Sequence, residues 1–144
     1  MIRASFERAV RAPADRVYEI LADFRTHHPR ILPPAFSDLR VEAGGRGAGT
    51  VIAFAVTLGG RRRSVRARVD EPEPGRVLTE TALDSGAVTT FTVAPEGAGC
   101  RVRIETAWAP KGLLGWIEGL LAPRMLRRLY AQELELLENY SAAP

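Results

Sequence analysis

Glu133 is the residue whose setting in the sequence most clearly suggests chemistry. A helical wheel places it in the predicted C-terminal helix, near the middle of an apolar face formed by Leu126, Leu129 and Leu137. A carboxylate in such a place must be paired, hydrogen-bonded, neutral or solvated in a cavity. It is therefore either a polar anchor or general acid/base in a binding chamber, or half of an ion pair with a strand arginine such as Arg8. The ion pair is the commoner arrangement.

Two adjacent histidines supply groups that titrate near neutral pH. His27 and His28 stand directly before Pro29, in a short irregular segment at 25–34. Spacing suggests no third ligand, so they make a poor metal pair, and we expect no metal and no cofactor. His27 is a weak candidate for acid/base catalysis, with an exposed turn as the simpler alternative. Tyr130, in the C-terminal helix, is a further weak candidate.

Aromatic and aliphatic side chains spread over several elements could line a chamber. Tyrosine and tryptophan combine an apolar body with one polar handle, although core packing is the simpler explanation for any single one. Arg40 and Glu80 would be interior polar groups if the predicted strand parity is wrong by one residue. The residues predicted to contact a ligand are Tyr18, Phe54, Val56, Phe91, Trp108, Trp116, Leu126 and Tyr130.

No motif for nucleophilic catalysis or phosphate binding is readable in the sequence. The serines lack a G-x-S-x-G elbow. The glycine-rich segment 44–49 precedes a strand rather than a helix, which excludes a phosphate-binding loop by context. Cys100, at the start of a strand, is expected to be a small buried residue rather than a nucleophile.

Composition and charge restrict the classes of partner. The 144 residues are expected to form one domain over 1–144, and the net charge is only +3, with acids interspersed among the bases. The densest basic cluster, Arg61–Arg68, alternates with apolar residues, so we expect a solvent face and no nucleic-acid partner. A surface carrier that uses this face on acidic lipid or protein is a third, less favoured class. Without a long apolar run and with one cysteine, we expect a cytoplasmic monomer or homodimer with no transmembrane segment.

The elements that must position these residues begin with one strand, about Ile2–Val10, and a short helix, about Pro13–Phe24. Six strand-like runs then follow with no long helix among them. Gly59-Gly60 is a signal for a two-residue hairpin turn. One run, Thr50–Leu58, is apolar on both faces, which is typical of a strand that is covered on both sides or lines a cavity. The six runs are Phe36–Ala43, Thr50–Leu58, Arg61–Glu71, Arg76–Leu83, Ala87–Ala94 and Cys100–Trp108.

A long amphipathic helix is predicted from about Lys111 to Tyr140. Its first half carries an apolar stripe over Leu113–Leu121, and Pro123 is expected to kink the helix or to split it. Such a helix, arriving after a complete antiparallel meander, must lay its apolar stripe on the sheet. That packing could leave a chamber for a small apolar ligand.

The segment at 10–24, VRAPADRVYEILADF, resembles the opening strand-to-helix signature of the START-like superfamily (SRPBCC), which includes polyketide cyclases/dehydrases and lipid-transport proteins. The EPEPGR turn at 71–76 and the LELLEN ending at 134–139 are similar too. The resemblance implies an α+β helix-grip fold. In that fold a curved antiparallel sheet of about seven strands wraps around a long C-terminal helix, with two short helices after the first strand.

The same resemblance implies a cavity that binds a hydrophobic or aromatic small molecule, such as a polyketide, quinone or lipid. The alternative that it implies is a polyketide cyclase/aromatase-type enzyme using the same cavity. No catalytic motif is common to the superfamily, so the resemblance assigns no catalytic residue.

Overall fold

The computed structural model describes residues 1–110 and 115–142, without the side chains of residues 115–121. Within these residues, seven strands form one antiparallel sheet, with two α-helices and one 3-10 helix packed against it. This arrangement confirms the predicted helix-grip fold. The elements in chain order are β1 (Ile2–Val10), α1 (Ala14–Ala22), the 3-10 helix (His28–Ile31), β2 (Phe36–Ala43), β3 (Val51–Leu58), β4 (Arg61–Glu73), β5 (Val77–Ala82), β6 (Val88–Glu96), β7 (Gly99–Trp108) and α2 (Gly115–Ala142).

The sheet is a meander joined to the first strand of the chain. Its strand order is β1-β7-β6-β5-β4-β3-β2, so each strand from β2 to β7 pairs with its neighbour in sequence. β1 pairs with β7 in a register that sets Ile2 opposite Trp108 and Val10 opposite Cys100. β3 and β4 are joined at Gly59 and Gly60, which both have positive φ (58° and 78°), as the predicted hairpin turn requires.

One face of the sheet is buried and the other meets solvent. In β7, Val102 and Ile104 are fully buried, whereas Arg101 and Arg103 are exposed. The alternation of arginines with apolar residues along this strand predicts one inward and one outward face, and the observed burial confirms it. The inner face therefore carries the apolar residues onto which the helices pack.

Helix α1 closes one end of the sheet. It follows Pro13, which has extended backbone angles (φ −62°, ψ 151°) and accepts a hydrogen bond from the Val17 N–H at 3.1 Å. Val17, Ile20 and Leu21 are fully buried. The end of α1 is joined to the glycine-rich loop, because the Gly47 N–H donates to the Ala22 carbonyl at 2.9 Å.

Helix α2 continues through Pro123, so of the two predicted effects of this proline the split is excluded and the kink stays a prediction. Leu134 and Leu137 are fully buried under the sheet. The predicted stripe Leu113–Leu121, with Trp116, lies outside the side chains that the structure describes. No described helix combines the length and the apolar character that crossing a membrane would require.

Candidate functional site

A cavity of about 350 Å³ lies between the inner face of the sheet and α2. Strands β2 to β7 and the 3-10 helix contribute to its wall, and α2 closes it. Its main apolar and aromatic side chains are Phe36, Phe54, Val56, Phe91, Trp108 and Leu126.

The two long walls of the cavity follow directly from local sequence patterns. Alternation along β3 directs Phe54 and Val56 into the cavity, while the small Ala53 and Ala55 on the other face are buried. On α2, the lining positions run from Ala122 through 126, 129 and 130 to 133, which is one face of a helix. At 1.5 Å per residue, these eleven steps make the helical wall about 16 Å long.

The cavity has an exposed end and a buried end. Arg63, Ser64 and Asp84 line it and are exposed, so they mark its mouth. Tyr130 and Glu133 line it at the other end of the helical wall and are 5% and 2% exposed. Polar groups are thus present at both ends, but only those at the buried end are shielded from water.

Three hydroxyl groups at the buried end form a hydrogen-bonded chain. Thr89 Oγ1 lies 2.7 Å from Thr106 Oγ1, and Thr106 Oγ1 is in turn hydrogen-bonded to the Tyr130 hydroxyl. Burial raises the pKa of Tyr130 above its ordinary value, so the phenol keeps its proton at neutral pH. Tyr130 can therefore orient a polar group of a ligand through a neutral hydroxyl.

Glu133 lines the same end, and its Oε2 atom has no hydrogen-bond partner among the described residues. The predicted ion pair with Arg8 is wrong. The charge of Arg8 adds to that of Arg11 in lowering the pKa of Glu138. The Nε of Arg8 donates a hydrogen bond to the Ala9 carbonyl at 3.3 Å. Burial raises the pKa of Glu133 well above its ordinary value, and the nearby Glu80 carboxyl adds to the effect.

Glu80 is the second buried carboxyl of the cavity. It lies in β5 opposite Val69, which is fully buried, so its side chain is on the inner face. Burial raises the pKa of Glu80 to about 7. Arg40 and Glu80 are the two residues whose inward or outward direction depends on the parity of the predicted strands. In the structure Glu80 is interior and Arg40 is exposed. The sequence carried a signal for the inward direction of Glu80, since Glu80 lies on the same face of the strand as Leu78 and Ala82.

His28, rather than the predicted His27, reaches the cavity. Its Nδ1 lies 2.7 Å from the Leu21 carbonyl oxygen, which can only accept, so Nδ1 carries the proton and Nε2 faces Glu80 at 3.9 Å. Burial lowers the pKa of His28 to about 4, so the ring is neutral at pH 7. No group of three His, Cys, Asp or Glu side chains in the described residues is arranged to hold a metal ion.

Two other predicted residues lie away from the cavity. His27 Nδ1 is 2.7 Å from the Tyr140 hydroxyl, and the His27 ring does not line the cavity. Of the two adjacent histidines, His28 is therefore the one that lies at the cavity. The Tyr18 hydroxyl donates to Glu71 Oε2 at 2.6 Å, which holds this α1 tyrosine against β4. An irregular segment has no periodicity from which the direction of His27 and His28 could be read.

Six of the eight residues predicted to contact a ligand line the cavity. Tyr18 does not, and the Trp116 side chain is outside the described residues. Contact of the six with a ligand stays a prediction. They are Phe54, Val56, Phe91, Trp108, Leu126 and Tyr130.

The basic face on β4 is partly neutralised by acids on the same surface. Arg62 pairs with Asp38 and Arg66 with Glu42, both at 2.8 Å, and all four side chains are on the outer side of the sheet. This pairing leaves the face with less free positive charge than the sequence alone suggests.

Comparison with known proteins identifies the family. The model of the family described as polyketide cyclase/dehydrase and lipid transport matches residues 1–142. The chain belongs to this family. The resemblance carried by the segment at 10–24 is thereby confirmed.

The chain is also similar to individual proteins and solved structures. Pathogenesis-related protein 2 of parsley (Petroselinum crispum) is 29% identical over 123 residues, which cover 77% of this chain and 77% of that protein. The solution structure of KanY protein (ms6282) is 32% identical, with a TM-score of 0.87 over 99% of this chain and 98% of that one. A START superfamily protein from Mycobacterium smegmatis shares the fold at 16% identity, with a TM-score of 0.76 over 95% and 94% of the two chains.

Proposed function

We propose that this member of the polyketide cyclase/dehydrase and lipid transport family binds a hydrophobic or aromatic small molecule between the sheet and α2. The observation that carries the proposal is the cavity of about 350 Å³ with its largely apolar wall. Ligand pockets typically measure ~300–1,000 Å³, so this one favours a compact ligand. A polyketide fragment, a quinone or a single-chain lipid fits that description.

The driving force for binding is the burial of apolar surface. A ligand that removes about 200 Å² of apolar surface from water gains about 5 kcal/mol, at ~25 cal/mol per Å². Aromatic side chains such as Phe54, Phe91 and Trp108 supply faces and edges for a flat ligand. The polar groups at the buried end then fix its orientation.

The test is a cavity-filling substitution on α2 with a matched control on the same helix. Leu126 lines the cavity, whereas Leu136 lies ten residues further along, outside it. The neutral fluorophore N-phenyl-1-naphthylamine is titrated into both variants and the wild type. Leu126→Trp should weaken binding by about tenfold or more, because the indole occupies ligand space. Leu136→Trp should leave binding unchanged.

Equal binding by all three proteins would contradict the proposal. Circular dichroism and thermal melting of each variant are the control that checks whether the fold is retained. Native mass spectrometry of the freshly purified wild type adds a direct observation, since a co-purifying small molecule would reveal the ligand class.

A second candidate function is catalysis of the polyketide cyclase/aromatase type in the same cavity. The observation that favours it is the buried pair of Glu80 and His28, with Nε2 and Oε2 3.9 Å apart and a Glu80 pKa of about 7. Such a carboxyl can give and take protons near neutral pH. Turnover of a poly-β-ketone that is lost in Glu80→Gln or Glu133→Gln while binding remains would favour this function. Binding without turnover by the wild type would count against it.

A further inference from the structure

The buried end of the cavity holds two carboxyl groups, and no cationic side chain among the described residues neutralises them. Glu133 is 2% exposed with an unpartnered Oε2, and the Glu80 side chain is 14% exposed. The groups that face them are His28 from the 3-10 helix, neutral at pH 7, and the hydroxyls of Tyr130 and Thr106. A buried carboxyl oxygen without a hydrogen-bond partner is unfavourable, so Glu133 Oε2 is an atom with which a donor group of a ligand could pair.

The described arginines near the cavity do not supply that donor. Arg63 lines the cavity at its mouth, six residues along β4 from Val69, the residue opposite Glu80. At ~3.3 Å per residue, six residues of strand separate the Arg63 backbone from the Val69 backbone, beside Glu80, by about 20 Å. Arg11 is bound to Glu138, with its Nε 2.7 Å from Oε1.

We propose that the ligand carries a protonated amine, or a similar cationic N–H group, at one end of an apolar body, and that it enters the cavity amine first. The ammonium would lie between Glu80 and Glu133, where its N–H groups donate to carboxylate oxygens. The apolar body would extend along the α2 wall of about 16 Å toward Ala122. This inference rests on the proposed function and names the class of ligand.

The ionisation of the two carboxyls supports this assignment. Burial raises the pKa of both, and the Glu80 carboxyl raises the pKa of Glu133 further. An arriving ammonium replaces the proton as the positive charge, so the carboxyl proton leaves to solvent while the ammonium keeps its own. Amine binding should therefore release protons at pH 7, and amine affinity should rise between pH 6 and 8.

The same geometry disfavours anionic ligands. A fatty-acid carboxylate placed head first at this end would add a third acidic group to two that already repel each other. A neutral alcohol would gain only ordinary hydrogen bonds, which are about half as strong as charge-assisted ones. The order of affinity expected for one apolar body is thus amine, then alcohol, then carboxylate.

The experiment compares three naphthalene probes by isothermal titration calorimetry at pH 7.5. The probes are 2-naphthylmethylamine, 2-naphthylmethanol and 2-naphthoate, with the decylamine, decanol and decanoate series as a longer body. The amine should bind about tenfold or more tightly than the alcohol, the factor that 1.4 kcal/mol produces. Titrations in two buffers of different ionisation enthalpy should show proton release with the amine and none with the alcohol.

Glu133→Gln should markedly reduce the advantage of the amine over the alcohol, because it removes one of the two carboxylates that face the ammonium. Glu135→Gln, two residues along α2 and exposed, is the control and should leave the order of affinity unchanged. Alcohol binding without any advantage for the amine, or an advantage that is undiminished in Glu133→Gln, would overturn this inference alone. Failure of every probe to bind the wild type would overturn the proposed function and this inference with it.

Discussion

Glu80→Gln is expected to stabilise the protein at pH 8 and to have little effect on its stability at pH 4.5. The carboxyl has an ordinary pKa of 4.5 and a pKa of about 7 in the folded protein. Between these values the unfolded chain loses its proton first, so the folded state binds more protons and the free energy of unfolding falls as pH rises. Since each pH unit corresponds to about 1.4 kcal/mol, the loss amounts to about 3 kcal/mol by pH 7.

The assay is urea denaturation of wild type and variant at pH 4.5, 6 and 8, monitored by circular dichroism. The glutamine is neutral throughout and has the shape of the protonated acid, so the variant should gain about 3 kcal/mol over the wild type between pH 4.5 and 8. Glu73→Gln, which alters an exposed glutamate on β4, serves as the control. A Glu80→Gln variant whose advantage is the same at all three pH values would refute the reasoning, because the carboxyl would then not be desolvated by folding.

Two further substitutions test the neighbours of the cavity. His28→Asn keeps an N–H donor for the Leu21 carbonyl but removes the ring, and its stability relative to wild type should improve by about 3 kcal/mol from pH 7 to pH 4. The reason is that burial lowers the pKa of His28 from 6.5 to about 4, so the wild type loses stability as pH falls through that range. Urea denaturation at these pH values measures the stability difference between variant and wild type. A difference that is the same at all pH values would contradict the prediction. Tyr18→Phe should cost about 1 kcal/mol in the free energy of unfolding, because it removes the hydrogen bond to Glu71. It should not change N-phenyl-1-naphthylamine binding, and a marked loss of that binding would show that Tyr18 does contribute to the site.

The architecture could be predicted because it depends on patterns that repeat along each element. Period-two alternation located β7 and its inner residues, and the two glycines at 59 and 60 located the turn between β3 and β4. The face of Glu133 on α2 followed from helical periodicity. These signals are local, and each is repeated several times within one element.

The partners of the site residues could not be predicted in the same way. Whether Glu133 meets Arg8 depends on how α2 lies along β1, and in the structure the carboxyl whose pKa Arg8 helps to lower is that of Glu138, five residues further along α2. His28 turns inward because its Nδ1 reaches the Leu21 carbonyl, a contact within an irregular segment. Such contacts depend on tertiary packing, which no spacing of residue types encodes by itself.

The pairing of β1 with β7 has a consequence for how the protein acquires its cavity during synthesis. β1 is the first of the seven strands to be translated, but it pairs with β7, the last of them, since Ile2 lies opposite Trp108, and α2 is translated later still. Until then, the growing meander presents the inner faces of Phe54 and Phe91 to water, a state that favours chaperone capture or aggregation. The cavity is therefore incomplete until α2, which is translated after all seven strands, covers the sheet, and a ligand present at that stage can be enclosed between them.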